Sequence, residues 1–161
     1  MSSPYVSLLE AIRTHCNLPD FPHPLPSNQL ILELENGPSM TIDFEEATSM
    51  VVLFAEIGTY EKEQEAAVLS TIVQANFLWV ATSGATLSAR PDIETVYLAQ
   101  QFPVHSLEGD SFIKLVEEFV RITQEWKTIL PALTTTNSEP LEEMAAHNEL
   151  TSQGAITPTI A

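Results

Sequence analysis

Along residues 4–131 the spacing of apolar residues switches between a helical period of 3.6 and a strand period of 2. This ordered alternation constrains the fold more than any single motif. Pro4 suits a first helical position behind Ser2 or Ser3, and Tyr5, Leu8, Leu9, Ile12 and Cys16 then fall on one helix face. Asn17 can end that helix, and Pro19 prevents its continuation. Phe21 to Pro26 (FPHPLP) has prolines at alternate positions and reads as an extended, polyproline-like connector. Three strands follow. Gln29 to Glu35 alternates with Leu30, Leu32 and Leu34 on one face. A turn at Asn36-Gly37 leads to Met40 to Phe44. Met50 to Ile57, closed by Gly58, is apolar on both faces: Val51, Leu53 and Ala55 on one, Met50, Val52 and Phe54 on the other. A strand of that kind needs a cover on each side, and one cover can be a partner protein.

Glu61 to about Leu78 reads as a second helix with an acidic first turn. Its apolar residues lie on two sides: Leu69, Val73 and Phe77 on one, Val68, Ile72, Ala75 and Trp79 on the other. A small domain has core enough for one side, so the other is expected to meet a second subunit. Ala85 to Ala89 and Thr95 to Phe102 form an antiparallel pair. A last helix, capped by Ser106 and ended by Pro131, carries Phe112, Leu115, Val116, Phe119, Ile122, Trp126, Ile129 and Leu130 as its stripe. The expected fold class is α+β, in the order α-β-β-β-α-β-β-α, with a twisted antiparallel sheet packed by helices. The domain is assigned to residues 1–131. Residues 132–161 lose the pattern, are rich in Thr, Ser, Asn, Glu and Pro, and read as an acidic, disordered tail.

Charge narrows the function. The chain has 22 Asp+Glu against 6 Lys+Arg, a net charge of -16, and the six bases are scattered from Arg13 to Lys127. Neutralising a phosphate backbone needs clustered Lys and Arg, so a nucleic-acid partner is not expected. No apolar run approaches the ~18 residues of a membrane span, no Sec-type signal opens the chain, and the acidity would repel an anionic leaflet. A single cysteine is compatible with a reducing compartment.

Catalytic patterns are weak. The pairs Glu45-Glu46, Glu117-Glu118 and Glu142-Glu143 are neighbours in sequence and read as solvated faces. His15, His23, His105 and His147 lack metal-ligand spacing, and Cys16 sits on an apolar helix face and reads as packing. Ser83-Gly84 is a turn without a surrounding G-x-S-x-G, and there is no phosphate loop. A binding protein without catalytic, cofactor or metal residues is the expectation.

Several short pieces, in order, carry a family resemblance. They are Ala55-Glu56-Ile57-Gly58, then Leu69 with Gln74-Ala75-Asn76-Phe77, then Gly84-Ala85-Thr86-Leu87. Val96-Tyr97-Leu98, Phe102-Pro103-Val104, Phe119-Val120 and Trp126-Lys127-Thr128-Ile129-Leu130 follow. With these pieces the chain resembles the class I type III secretion chaperones, the Tir-chaperone family of small acidic homodimers, over about residues 5 to 130. The proline-rich connector and the long tail depart from that family's pattern.

The resemblance implies a bacterial, cytoplasmic homodimer that holds the N-terminal chaperone-binding segment of a secreted effector in extended form. It implies no enzymatic activity and no cofactor, and makes the secretion-system ATPase a candidate further partner. Two other readings stay open at this point: an acidic dimeric regulator that sequesters a secretion-linked regulatory protein, and a small enzyme whose site is assembled from dispersed acids and histidines. The expected client-binding set is Ile31, Val52 and Phe54, with Leu9 and Ile12 lining a neighbouring groove. The expected dimer interface is Val68, Ile72, Ala75 and Trp79 with Thr86 and Leu87 of the neighbouring strand.

Overall fold

A computed structural model describes residues 4–21, 28–34, 37–135 and 158–159. The body of the connector at 22–26, the turn residues 35–36 and the tail at 136–157 lie outside the described residues. Helix α1 is Pro4–His15. It ends as the sequence suggests: Asn17 takes a left-handed φ of 52°, Leu18 N–H donates to Arg13 O (2.9 Å), and Asn17 N–H donates to Thr14 O (3.3 Å). This is a Schellman closure, and the buried Leu18 supplies its apolar contact.

Strands β1 (Gln29–Leu34), β2 (Ser39–Glu45) and β3 (Met50–Thr59) form an antiparallel meander. Helix α2 (Glu65–Asn76) and strands β4 (Thr86–Arg90) and β5 (Thr95–Pro103) come next, and α3 is Gly109–Thr135. The expected element order holds. The sheet order is β4-β5-β3-β2-β1, extended beyond β1 by a two-residue strand, β6 (Pro158–Thr159).

Registers decide which side chains share a face. Leu30 pairs with Ile42, Ile42 with Leu53, and Leu53 with Gln100. Ala55 pairs with Leu98, and Leu98 with Leu87. This inner face meets Tyr5, Leu8, Leu9 and Ile12 of α1 and Phe112, Phe119, Ile122, Trp126 and Leu130 of α3 in one buried core. The opposite face carries the row Ile31–Thr41–Phe54–Ala99–Thr86, one residue from each strand.

Four local expectations are corrected. Gly58 does not close β3, because the strand continues to Thr59 through a register shift between Glu56 and Gly58. Gly58 has φ 155°, and a Cβ there would stand 3.3 Å from Leu130 Cδ2, so the bulge also admits α3. The second helix is shorter than the sequence pattern. A 3-10 turn at Lys62–Gln64 precedes it, and it stops at Asn76. Ser106 does not cap α3: it lies in a 3-10 turn and donates to Pro103 O, while Ser111 Oγ accepts from Glu108 N–H (3.1 Å) at the helix start. Pro131 does not end α3, which runs on to Thr135. A proline in the closing turn forfeits only one helical N–H, and the helix runs one further turn past it.

Candidate functional site

Two exposed surfaces stand at opposite ends of the sheet. The first follows α2. Val68, Ile72 and Ala75 form its buried stripe, and Val73 on the other side is exposed. At Asn76 the helix gives way to non-helical turns, and Leu78 and Trp79 both take left-handed φ values, 52° and 54°. Bulky residues adopt that region at a cost, and such strain concentrates at binding sites. Val73, Phe77, Leu78, Trp79 and Val80 are each 53–71% exposed. Exposed apolar clusters of this kind are commonly surfaces for protein contact.

The cluster rests on fixed supports. The Asn76 side chain brackets β4: Nδ2 donates to Leu87 O (2.9 Å), and Leu87 N–H donates to Oδ1 (3.0 Å). Behind the turns, Trp126 Nε1 donates to Ala81 O (2.9 Å). Turn bonds from Thr82 and Ser83 N–H to Trp79 O close the loop.

The expected interface set is therefore divided by burial. Val68, Ile72, Ala75 and Leu87 belong to the protomer's own core, since they are the side of α2 and β4 that faces the sheet and α3. That corrects their assignment to the dimer interface. Trp79 and Thr86 are exposed. Trp79 leaves the Val68–Ile72–Ala75 stripe because the helix has ended before it. Val73, Phe77, Leu78 and Val80 stand exposed beside Trp79 and were not in the expected set. The other apolar side of the helix, with Val73 and Phe77, was visible as a pattern, but nothing in it said which side faced inward.

The second surface is the outer sheet face near β1. Ile31 is 55% exposed, and Val52 and Phe54 are half-buried. Thr41 lies between Ile31 and Phe54 in the cross-strand row. A shallow cleft beside them is lined by Asn28, Gln29, Asp43, Phe44, Val52 and Phe54, with Glu45 and Glu46 at its rim. Gln29 Nε2 donates to Asp43 Oδ2 (3.1 Å) across β1 and β2. Exposed Glu33 and Glu56 flank the face, so the surface is apolar in the middle and acidic around it.

The alternation of β1 and β3 thus brings Ile31, Val52 and Phe54 to one face. Leu9 and Ile12 do not join them. They are 2% and 1% exposed, on the α1 face that packs against the inner sheet, so their expected place in a groove is corrected to the core. Tyr5 supports two residues of the cleft: its ring stacks on Phe44 at 4.7 Å and 15°, and its hydroxyl donates to Asn28 O (2.9 Å). Burial, with the nearby Asp43 carboxylate, pushes the Tyr5 phenol well above its ordinary pKa. Burial and then Glu117 raise the Cys16 thiol, which suits packing rather than nucleophilic use.

Comparison with known proteins places the chain in a class defined by this fold. The model of the Tir chaperone protein (CesT) family matches residues 7–127. The chain belongs to that family. A comparison with curated proteins gives no sequence match. Solved structures share the fold at low identity. One is a chain of the HopA1–SchA chaperone–effector complex, with TM-score 0.61 and 11% identity over 78% of this chain and 94% of that chain. A chain of the ExoU–SpcU complex from the type III secretion system of Pseudomonas aeruginosa gives 0.56 and 19%, covering 77% and 98%. A chain of the ExsC–ExsE complex gives 0.59 and 11%, covering 83% and 95%.

Proposed function

We propose that this protein is a type III secretion chaperone of the bacterial cytoplasm. It acts as a homodimer that holds the N-terminal chaperone-binding segment of a secreted effector in extended form, with no catalytic step. The observation that carries this reading is the outer sheet face, where Ile31, Val52 and Phe54 lie around Thr41 inside a border of Asp43, Glu33 and Glu56. An extended segment laid there places alternate apolar side chains against Ile31, Val52 and Phe54. Lys or Arg between them would meet the acidic border. Membership of a chaperone family supports the reading, as does the shared fold of chains in the HopA1–SchA chaperone–effector complex and the ExoU–SpcU type III secretion complex. Among the described residues no helix is long and apolar enough to cross a membrane.

Dimerisation uses the Val73 and Phe77–Val80 cluster. The left-handed turns at Leu78 and Trp79 push large apolar groups outward, and a two-fold contact that buries ~800 Å² per partner would cover them. High net charge keeps the unliganded dimer soluble despite its apolar surfaces.

The test is capture of an effector co-expressed from the same genome, using Ile31→Asp and Phe54→Asp made separately. Each variant is expected to keep its circular dichroism and oligomeric state and to lose capture. Two folded variants that capture the effector normally would remove the outer face from the mechanism.

A further inference from the structure

Asp43 stands apart from the other acids of the outer face. It lies on β2, inside the sheet, directly opposite Gln29 of β1 and Val52 of β3. Gln29 Nε2 donates to its Oδ2 (3.1 Å) and fixes the direction of the carboxylate. Asp43 is half-buried, whereas Glu33, Glu45, Glu46 and Glu56 are exposed. Glu45 is already held by the Thr48 hydroxyl (2.9 Å). The cleft around Asp43 is walled by Phe44, Val52 and Phe54, and Glu45 and Glu46 add to its negative charge. We infer that Asp43 is the specificity-determining residue of this cleft: it takes the guanidinium of one arginine from an extended peptide segment laid along β2 and β3. This deepens the chaperone reading above and rests on it for the source of the segment.

Charge complementarity chooses the occupant. The chain's own bases are elsewhere. Arg13, Lys62, Arg90 and Arg121 pair with carboxylates on other elements, and Lys114 and Lys127 belong to α3, which packs on the inner face of the sheet. Among the described residues no Lys or Arg bridges to Asp43, Glu45 or Glu46. These carboxylates repel one another, and a cation between them relieves the repulsion. Arginine fits better than lysine. Its flat guanidinium brings two parallel N–H groups to a carboxylate, stacks on an aromatic face and sheds water more readily than an ammonium. Phe44 and Phe54 supply aromatic walls for it.

Register sets the spacing. Thr41 and Asp43 on β2 are opposite Phe54 and Val52 on β3, and each pair repeats along its strand at about 6.8 Å. A segment that runs with the strands has the same repeat. An arginine above Asp43 therefore places the residue two positions away above Thr41, where a large apolar side chain meets Phe54 and Ile31. The segment this face reads is an arginine separated by one residue from a large apolar residue.

The test is selection from a library of short displayed peptides of random sequence. It is run on the full chain and, in parallel, on its Asp43→Asn variant, which keeps an oxygen for Gln29 to donate to. Peptides selected on the unmodified chain are expected to carry arginine two positions from Ile, Leu, Val or Phe at least about threefold above its library frequency, and those selected on the variant should not. For one selected peptide, Arg→Gln is expected to weaken binding about tenfold and Arg→Lys about fivefold, the scale of a charged hydrogen-bonded pair in a half-buried site. On Asp43→Asn the same peptide changes should matter less than about twofold. The peptide changes carry no risk of unfolding the protein. No selected binder, binders without the arginine, arginine selected equally on both chains, or lysine as good as arginine overturns the inference. If binders lack arginine but are lost with Ile31→Asp, only the Asp43 site falls and the chaperone reading stands. If arginine depends on Asp43 while the Ile31→Asp and Phe54→Asp chains capture the effector normally, the outer face leaves the chaperone mechanism and the Asp43 site stands.

Discussion

Asn76→Ala should cost the protein far more than its half-buried position suggests. The Asn76 amide gives one hydrogen bond to Leu87 O and takes one from Leu87 N–H, at 2.9 and 3.0 Å. Leu87 lies in β4, the edge of the sheet opposite β1, so the amide stands in for a neighbouring strand. Alanine removes both bonds and leaves a backbone donor and acceptor without them beside a buried Leu87 side chain. Each bond is worth about 1 kcal/mol net, so the loss comes to about 2 kcal/mol. For a domain of this size that is a fall of roughly 6–10 °C in Tm, or about 1 M in the urea midpoint. Asn76→Asp separates this mechanism from general disruption. Its carboxylate can still accept from Leu87 N–H but turns a second oxygen towards Leu87 O, so at pH 7 it should be less stable than Asn76→Ala. Below about pH 4 the carboxyl gains a proton, can donate again, and should recover relative to the alanine variant at the same pH. Urea unfolding at one fixed protein concentration measures all three. An alanine variant within about 0.5 kcal/mol of the unmodified protein, or an aspartate variant no worse than alanine at pH 7, refutes the bracket.

Leu78→Asp should fold, because Leu78 is 71% exposed with φ 52° and Asp tolerates that region better than Leu. It should sediment as a monomer where the unmodified protein sediments as a dimer; a dimeric variant, or a monomeric unmodified protein, sinks the assigned interface. Tyr5→Phe keeps the stack on Phe44 but loses the bond to Asn28 O, a cost of about 1 kcal/mol at neutral pH. Because burial raises the folded-state phenol pKa, the stability gained from keeping it neutral is complete below the unfolded value of about 10 and drains away as pH rises past it. Urea midpoints from pH 8 to 11 should therefore fall more steeply for the unmodified protein than for Tyr5→Phe, and parallel curves would contradict this.

Sequence periodicity reported what each element buries better than what it buries against. The Tyr5–Leu8–Leu9–Ile12 stripe and the alternation in β1 and β3 survive in the structure because one-faced burial forces them. A stripe looks the same whether it faces its own sheet or a client, so Leu9 and Ile12 were legible as apolar but not as core. The same ambiguity applies to α2, where two apolar sides compete for one interior. The turn that decides it, at Leu78 and Trp79, uses left-handed backbone without glycine, and no propensity rule points there. Asn76 was visible only as one letter of Gln74-Ala75-Asn76-Phe77. Its bond to Leu87 joins residues 11 apart, a separation that local pattern does not read. Pro131 misled for the opposite reason: a strong local stop signal was overridden by the long apolar face of α3.

The strand order keeps the two proposed protein contacts apart. β4, bracketed by Asn76 beside the Phe77–Val80 cluster, lies at one edge, and β1 with Ile31 lies towards the other, flanked only by the two-residue β6. The intervening strands hold these edges about four strand spacings apart, roughly 19 Å. A second subunit at the β4 end, as proposed, would leave the outer face near Ile31 outside the subunit contact in both copies. In a two-fold dimer the β1 edges then fall at the far ends of the assembly, so an extended client can engage one of them, or wrap to reach both, without disturbing the subunit contact. Leu78→Asp and Ile31→Asp should accordingly be separable. The first is expected to abolish the dimer while its isolated subunits still bind a short single-site segment, and the second to abolish capture with the dimer intact. Loss of both properties in either variant would mean that the two surfaces are one.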